Sequence, residues 1–495
     1  MTWLECALWF KACQLLGLLF RNPFALYIVY MSASICSTDS DLNYFHALAS
    51  YWPYHKFPLR RVLPPELWCH IFQLYCMLDG PSPRDYNYAR NELCRKFGLW
   101  ASFVLSATVF WSRILVDGYS TPSRTALEVD SAGTRNLEVC VMLEVDVNQL
   151  QFGEIEPIAV SNPADSLAAL QVVSTRSRFW SALYVATTSE PLLQAVVDLL
   201  VQVDVPRLTS LTFGCTFLSA NNSRLFFNPP FLFRGQAPAL RHLDIMNAPF
   251  PWQIRSYFLH VQELRLVHVQ PKDWCSAQQL AFALSASPVL HTLTLVGSGV
   301  REHRLLSPFR LSALESVTIV YGNTSIIHWL SRAIVPCLRD MTFTNLSIHC
   351  WDRIVRNFAF LPHITSITIN STFPLDDRLP HLLSLTRNLE RLEVRRGAEP
   401  VVRFLICNPN ACENLRFLVL GDVTVESVLL AAAGRPHALD TLILIGVDPR
   451  PTDRVDQLML VVLEGLVGFL EARIKWLGIL WRVYGGWMDR PFMWI

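Results

Sequence analysis

One apolar pattern recurs along the chain: an apolar residue at positions i, i+3 and i+5, in several copies with proline two residues before the first. It runs as Leu208-Leu211-Phe213 after Pro206, then Leu240-Leu243-Ile245 after Pro238, Val261-Leu264-Leu266, and Leu290-Leu293-Leu295 after Pro288. Leu314-Val317-Ile319, Leu338-Met341-Phe343 after Pro336, and Ile364-Ile367-Ile369 after Pro362 follow. Leu389-Leu392-Val394, Leu415-Leu418-Leu420 and Leu439-Leu442-Leu444 close the series, and Trp180-Leu183-Val185 reads as an earlier, less regular copy. Successive first positions lie 21 to 32 residues apart, most of them 24 to 26. Residues two apart point to the same face of a strand, so each copy predicts a short strand with one buried face.

Between these strands, apolar residues fall at helical spacing over 192–200, 279–286, 326–333, 351–359, 401–406 and 425–432. Proline after such a stretch stops the helix and opens the next strand. A lone strand–helix unit cannot bury its apolar face, so units of this period stack into a continuous core. The expected fold is therefore α/β: a leucine-rich-repeat solenoid over 181–447, with parallel strands on a concave face and helices on a convex face. Apolar residues at helical spacing over 455–480 predict one or two capping helices, giving a cap over 455–482 and an unassigned tail over 483–495.

In each strand the i+4 residue is expected on the open side. These are Thr212, Asp244, Arg265, Thr294, Thr318, Thr342, Thr368, Glu393, Val419 and Ile443. Threonine is a common strand filler, so the central run is uninformative about a ligand. The charged exceptions, Asp244, Arg265 and Glu393, together with nearby Arg339 and Arg416, are the candidate target-binding residues. Solvated surface charge accounts for each of them equally well. Val419 and Ile443 predict an apolar terminal patch, covered by the cap or used by a partner.

Ahead of the repeats lies Leu63-Pro64-Pro65-Glu66-Leu67-Trp68-Cys69-His70-Ile71-Phe72. Proline in a first turn and an early glutamate suit a helix start, and Leu67, Ile71 and Leu74 share a face. After a polar loop over 79–85, a second helix is predicted through Leu93-Cys94-Arg95 and Phe97, ending near Phe110-Trp111-Ser112. This segment resembles the F-box, in the form common in fungal F-box proteins with leucine-rich repeats. The resemblance rests on Leu63-Pro64-Pro65-Glu66-Leu67, Ile71-Phe72, Leu93-Cys94-Arg95 and Trp111, and on a connector through 127–142 to Arg178-Phe179-Trp180. It implies an all-α module over 62–117 and a connector over 118–180. It also implies docking onto a Skp-type adaptor, and through it a cullin, by Leu63, Pro64, Pro65, Leu67, Ile71, Phe72, Leu93, Cys94 and Phe97. The chain would then hold a target protein for ubiquitin transfer carried out by other subunits. The alternative is a repeat scaffold with a degenerate F-box and no ligase role.

Composition narrows the remaining classes. Hydrophobic residues make up 52% of the 495 and charged residues 17%, which argues against disorder. A formal charge of +1 gives no global field for nucleic acid. The thirteen cysteines form no C-x-x-C pair and no zinc spacing, so they read as buried thiols in a reducing, cytoplasmic or nuclear, compartment. No phosphate loop, nucleophile elbow, zinc helix or dinucleotide fingerprint is present, so no catalytic residue, metal or cofactor is expected. The N-terminal extension, 1–61, has apolar runs over 12–20 and 24–30, both shorter than the ~20 residues of a spanning helix. It reads as a helical or poorly ordered extension, with a membrane tether through 1–36 as the lesser alternative.

Overall fold

In a computed structural model, the described residues are Arg90, 107–143, 163–187, 190–215, 231–248, 250–268, 275–300, 308–358, 360–371, 378–423, 439–447 and 474–481. The N-terminal extension, the expected adaptor contacts from Leu63 to Phe97, the predicted helix over 425–432 and the tail over 483–495 lie outside them.

Every copy of the repeat becomes a strand. They are β3 (Trp180–Thr187), β4 (Ser210–Cys215), β5 (His242–Met246), β6 (Glu263–Val267), β7 (Thr292–Val296), β9 (Ser316–Val320) and β11 (Asp340–Thr344). β12 (Ser366–Asn370), β13 (Arg391–Val394), β14 (Phe417–Gly421) and β15 (Leu439–Val447) complete the series. Two further strands precede it, β1 (Arg113–Asp117) and β2 (Leu137–Leu143), and one follows, β16 (Ile474–Trp481). These fourteen form one sheet in chain order, and every pairing is parallel. A separate parallel pair, β8 (Phe309–Arg310) and β10 (Ala333–Ile334), joins the segments that lead into β9 and β11. The protein is thus α/β with a large parallel sheet, an arrangement compatible with a stacked repeat.

Register turns the sequence pattern into rows. Leu211, Leu243, Leu264, Leu293, Val317, Met341, Ile367, Leu392, Leu418 and Leu442 pair strand to strand. All are at most 2% exposed. The first residue of each copy, from Leu208 to Leu439, is equally buried. Leu208, Leu240, Leu338 and Ile364 each donate a backbone N–H to the carbonyl three residues back. The preceding Pro206, Pro238, Pro336 and Pro362 therefore occupy the second position of a β-turn, where a fixed φ is an advantage. Proline marks a turn here, closing one unit and aiming the next strand.

Helices cover the apolar side. They are α1 (Pro122–Ala132), α2 (Pro163–Ser174), α3 (Glu190–Leu200), α4 (Ala277–Ser285), α5 (Thr324–Leu330), α6 (Ile348–Asn357), α7 (Arg378–Leu385) and α8 (Glu399–Cys407). Ser276 starts α4 with a capping box: its hydroxyl accepts from Gln279 N–H and the Gln279 side chain accepts from Ser276 N–H. Trp329, on α5, is fully buried and its indole donates to the Ala277 carbonyl at 3.1 Å, tying one helical layer to the next.

Three expectations need correction. The connector over 118–180 contains α1, β2 and α2, so it already belongs to the sheet-forming region. The module drawn to residue 117 ends in β1, whose Ile114 and Val116 pair with Val139 and Val141. The capping segment, read as helical to 480, is a strand over Ile474–Trp481 in register with β15. Its apolar residues satisfy both periods, and a partner edge built from Leu442 and Ile443 satisfies its backbone groups as a sheet. A smaller difference is that α5 stops at Leu330 and Ala333 starts β10.

Arg90 is helical and 1% exposed. Its guanidinium meets Glu128 of α1 at 3.1 Å, donates to the Phe110 carbonyl at 3.2 Å, and lies 4.0 Å from the Trp111 ring centre. This buried ion pair ties the residue to the first unit of the sheet.

At two glycines the backbone of a neighbouring strand leaves no room for a side chain. A Cβ at Gly421 would lie 2.0 Å from the Arg395 carbonyl oxygen, and one at Gly214 would lie 2.3 Å from that of Met246. Backbone atoms cannot yield as a side-chain tip does. Gly421→Ala is expected to lower stability by about 1–3 kcal/mol in denaturant unfolding, as overpacking does. An unchanged midpoint would show that β13 and β14 are not this close.

Candidate functional site

The sheet face turned away from the helices is a continuous feature that runs across all fourteen strands. Its central row runs, in register, Leu115, Cys140, Tyr184, Thr212, Asp244, Arg265, Thr294, Thr318, Thr342, Thr368, Glu393, Val419 and Ile443. Residues at alternate positions are half-buried where their neighbours are buried, as in β7, β9 and β12. The row is apolar at its start, charged at Asp244 and Arg265, hydroxyl-bearing over four strands, charged again at Glu393, and apolar beyond.

At the start, Leu115, Cys140 and Met142 form a buried cluster with Tyr184 packed against it. Burial, with the Asp117 charge adding to it, pushes the Cys140 thiol up to about 12, so it packs as a protonated thiol and is no nucleophile at neutral pH. Burial also raises the Tyr184 hydroxyl, with the Asp244 charge adding to it.

Asp244 and Arg265 occupy adjacent strands and meet at 3.4 Å. Asp244 is turned inward, its side chain 20% exposed against 55% for Arg265. Its Oδ1 is buried with no hydrogen-bond partner, and burial raises its carboxyl above the ordinary 3.8 despite the opposing pull of Arg265. The pair is nearly neutral at the surface and presents mainly a guanidinium.

The second charged position is more elaborate. Glu393 sits between two arginines on the same face of the chain: Arg391 Nη2 lies 3.4 Å from Oε2 and Arg395 Nε lies 2.6 Å from Oε1. The Glu393 side chain is 10% exposed, while those of Arg391 and Arg395 are 48% and 55% exposed. Arg391 also covers the Phe417 ring, 4.1 Å from its centre. The carboxylate is the buried base of the cluster and the guanidiniums are its surface.

Of the five expected target-binding residues, Asp244, Arg265 and Glu393 lie on this face. Asp244 and Arg265 touch, while Glu393 stands six strands from Asp244, about 29 Å at the usual strand spacing. Arg339 and Arg416 are exposed but precede their strands. There each backbone carbonyl accepts two N–H groups from the next unit. Arg395 and Tyr184 were absent from the expected set. The alternation Arg391-Leu392-Glu393-Val394-Arg395 carries the signal for Arg395, since every second residue shares a face.

Among the described residues, no group of histidine, cysteine, aspartate and glutamate could hold a metal ion, and no helix is long and apolar enough to cross a membrane. The fold and this face together define an α/β protein with a large parallel sheet and one broad open surface. No family model matches the chain, and no curated protein matches it. A crystal structure of a protein from Bacteroides fragilis is similar to 60% of this chain and 74% of its own, at 12% identity and a TM-score of 0.33. That likeness is too slight to carry an argument.

The raised carboxyl of Asp244 sets a sign for pH dependence. The fold favours the protonated form. Its contribution to stability is therefore greatest below the unfolded value and is lost as pH rises through the folded one. Asp244→Asn, which cannot ionise, should gain stability relative to the natural protein between pH 4 and pH 7, measured as the difference in Tm. A difference that is flat, or that turns against Asn with rising pH, would show that the Arg265 contact outweighs burial.

Proposed function

We propose that the chain is the substrate-recognition subunit of a Skp–cullin–F-box ubiquitin ligase, with a leucine-rich-repeat solenoid as its binding body. The observation that supports this most is the single-file parallel sheet, built of strand-and-helix units in chain order, with an open face that is polar from Thr212 to Glu393. Such an array offers an extended surface for a protein. The sequence from Leu63 to Trp111, with its resemblance to an F-box, supplies the reason for an adaptor in this reading. Leu63, Pro64, Pro65, Leu67, Ile71, Phe72, Leu93, Cys94 and Phe97 are the proposed adaptor contacts. The chain performs no reaction in this reading: it brings the target close to subunits that do.

A scaffold without a ligase role is the second reading. Co-purification with a recombinant Skp-type adaptor separates the two. Binding at micromolar concentration, abolished by Leu67→Asp or Phe72→Asp with the circular dichroism spectrum intact, is the expected result. Failure of the natural chain to bind would remove the adaptor role and leave the scaffold.

A further inference from the structure

The charge at β13 is what distinguishes one part of the open face from the rest. Arg391, Glu393 and Arg395 contribute a net +1. The open-face residues of the flanking strands are Ser366, Thr368 and Asn370 on β12, and Phe417, Val419 and Gly421 on β14, none of them charged. Among the alternate residues of the neighbouring strands, the next carboxylate is Asp340 on β11, two strands from Arg391. At the other charged position, Arg265 faces a carboxylate one to one.

Glu393 meets one nitrogen of each guanidinium, and both arginine side chains remain about half exposed. Holding two long side chains in place beforehand lowers the ordering cost of binding. Arginine forks match planar oxyanions in pairs of hydrogen bonds. A monoanion balances this cluster, whereas a dianion would over-compensate it beside a buried Glu393. On one side stand the hydroxyls of β12. On the other stand Phe417 and, one strand further, Ile443, both half-buried and apolar.

We propose that Arg391 and Arg395, set by Glu393, form a clamp for a single carboxylate of a bound protein segment, an aspartate or glutamate side chain with an apolar neighbour. This rests on the open face being the surface that receives a target. It does not depend on the adaptor, whose pull-down tests that part separately.

The test uses the full chain and three fluorescein-labelled nonapeptides of glycine and serine, with Glu-Leu, Gln-Leu or phosphoserine-Leu at the centre. Fluorescence anisotropy reads binding. The Glu peptide should bind about tenfold tighter than the Gln peptide, the value expected for losing charge-assisted hydrogen bonds. Arg391→Gln and Arg395→Gln should each erase that preference, while Arg403→Gln, on the exposed side of α8, should keep it. Thermal melts of each variant, matching the natural protein, exclude unfolding as the cause. No preference for Glu over Gln, an equal loss with Arg403→Gln, or tighter binding of the phosphoserine peptide overturns the proposal, the last by showing a dianion site.

Discussion

Burial of two apolar rows across a parallel sheet is the interaction on which the structure depends. Leu211 through Leu442 form one row and Phe213 through Leu420 the other, each running from strand to strand in register. In the main sheet each strand from β5 to β12 contributes two buried side chains, so none is stable alone. Each unit is stabilised by its neighbours, and stability accumulates along the array. The same rows fix the open face. A strand whose alternate residues are buried must offer the intervening ones to the other side, and a one-residue slip would exchange them.

Backbone hydrogen bonds hold that register between units. The carbonyl one residue before the strand accepts two N–H groups from the next unit, as Arg241 does from Gln262 and Glu263, and Glu390 from Arg416 and Phe417. At the far end of successive strands, Asn247, His268, Gly297, Tyr321 and Asn345 adopt positive φ, and each N–H reaches the last strand carbonyl of the next unit. A left-handed residue is ordinarily glycine or asparagine. His268 and Tyr321 accept that strain because the repeated turn requires it. The Glu393 clamp is a consequence of this order: alternation puts three charges on one face, and the neighbouring strands leave them isolated.

Much of this was legible in the sequence. The ten regular copies became strands because period and alternation agreed in each, with proline marking the turn before five of them. β2 was not legible because Leu-Glu-Val-Cys-Val-Met-Leu is buried on both faces and lacks alternation. β16 was misread because an apolar stretch satisfies helical and strand spacing together, and only the edge of β15 decides between them. The register of the central row was legible, but not its chemistry. Alternation places Glu393 beside Arg391 and Arg395, and only packing shows that the acid lies beneath and the bases lie outward. Likewise nothing in Arg339 or Arg416 distinguishes them from face residues until strand limits are known.

Hydrogen exchange on the full chain, comparing the natural protein with Leu293→Ala, tests the central claim most directly. Leu293 is fully buried in the middle of the row. Shared burial along the sheet predicts that protection falls most in β7 and then in its neighbours β6 and β9, decaying outward in both directions. Loss confined to β7, or appearing in blocks of strands that are not neighbours in the sheet, would contradict a continuous core.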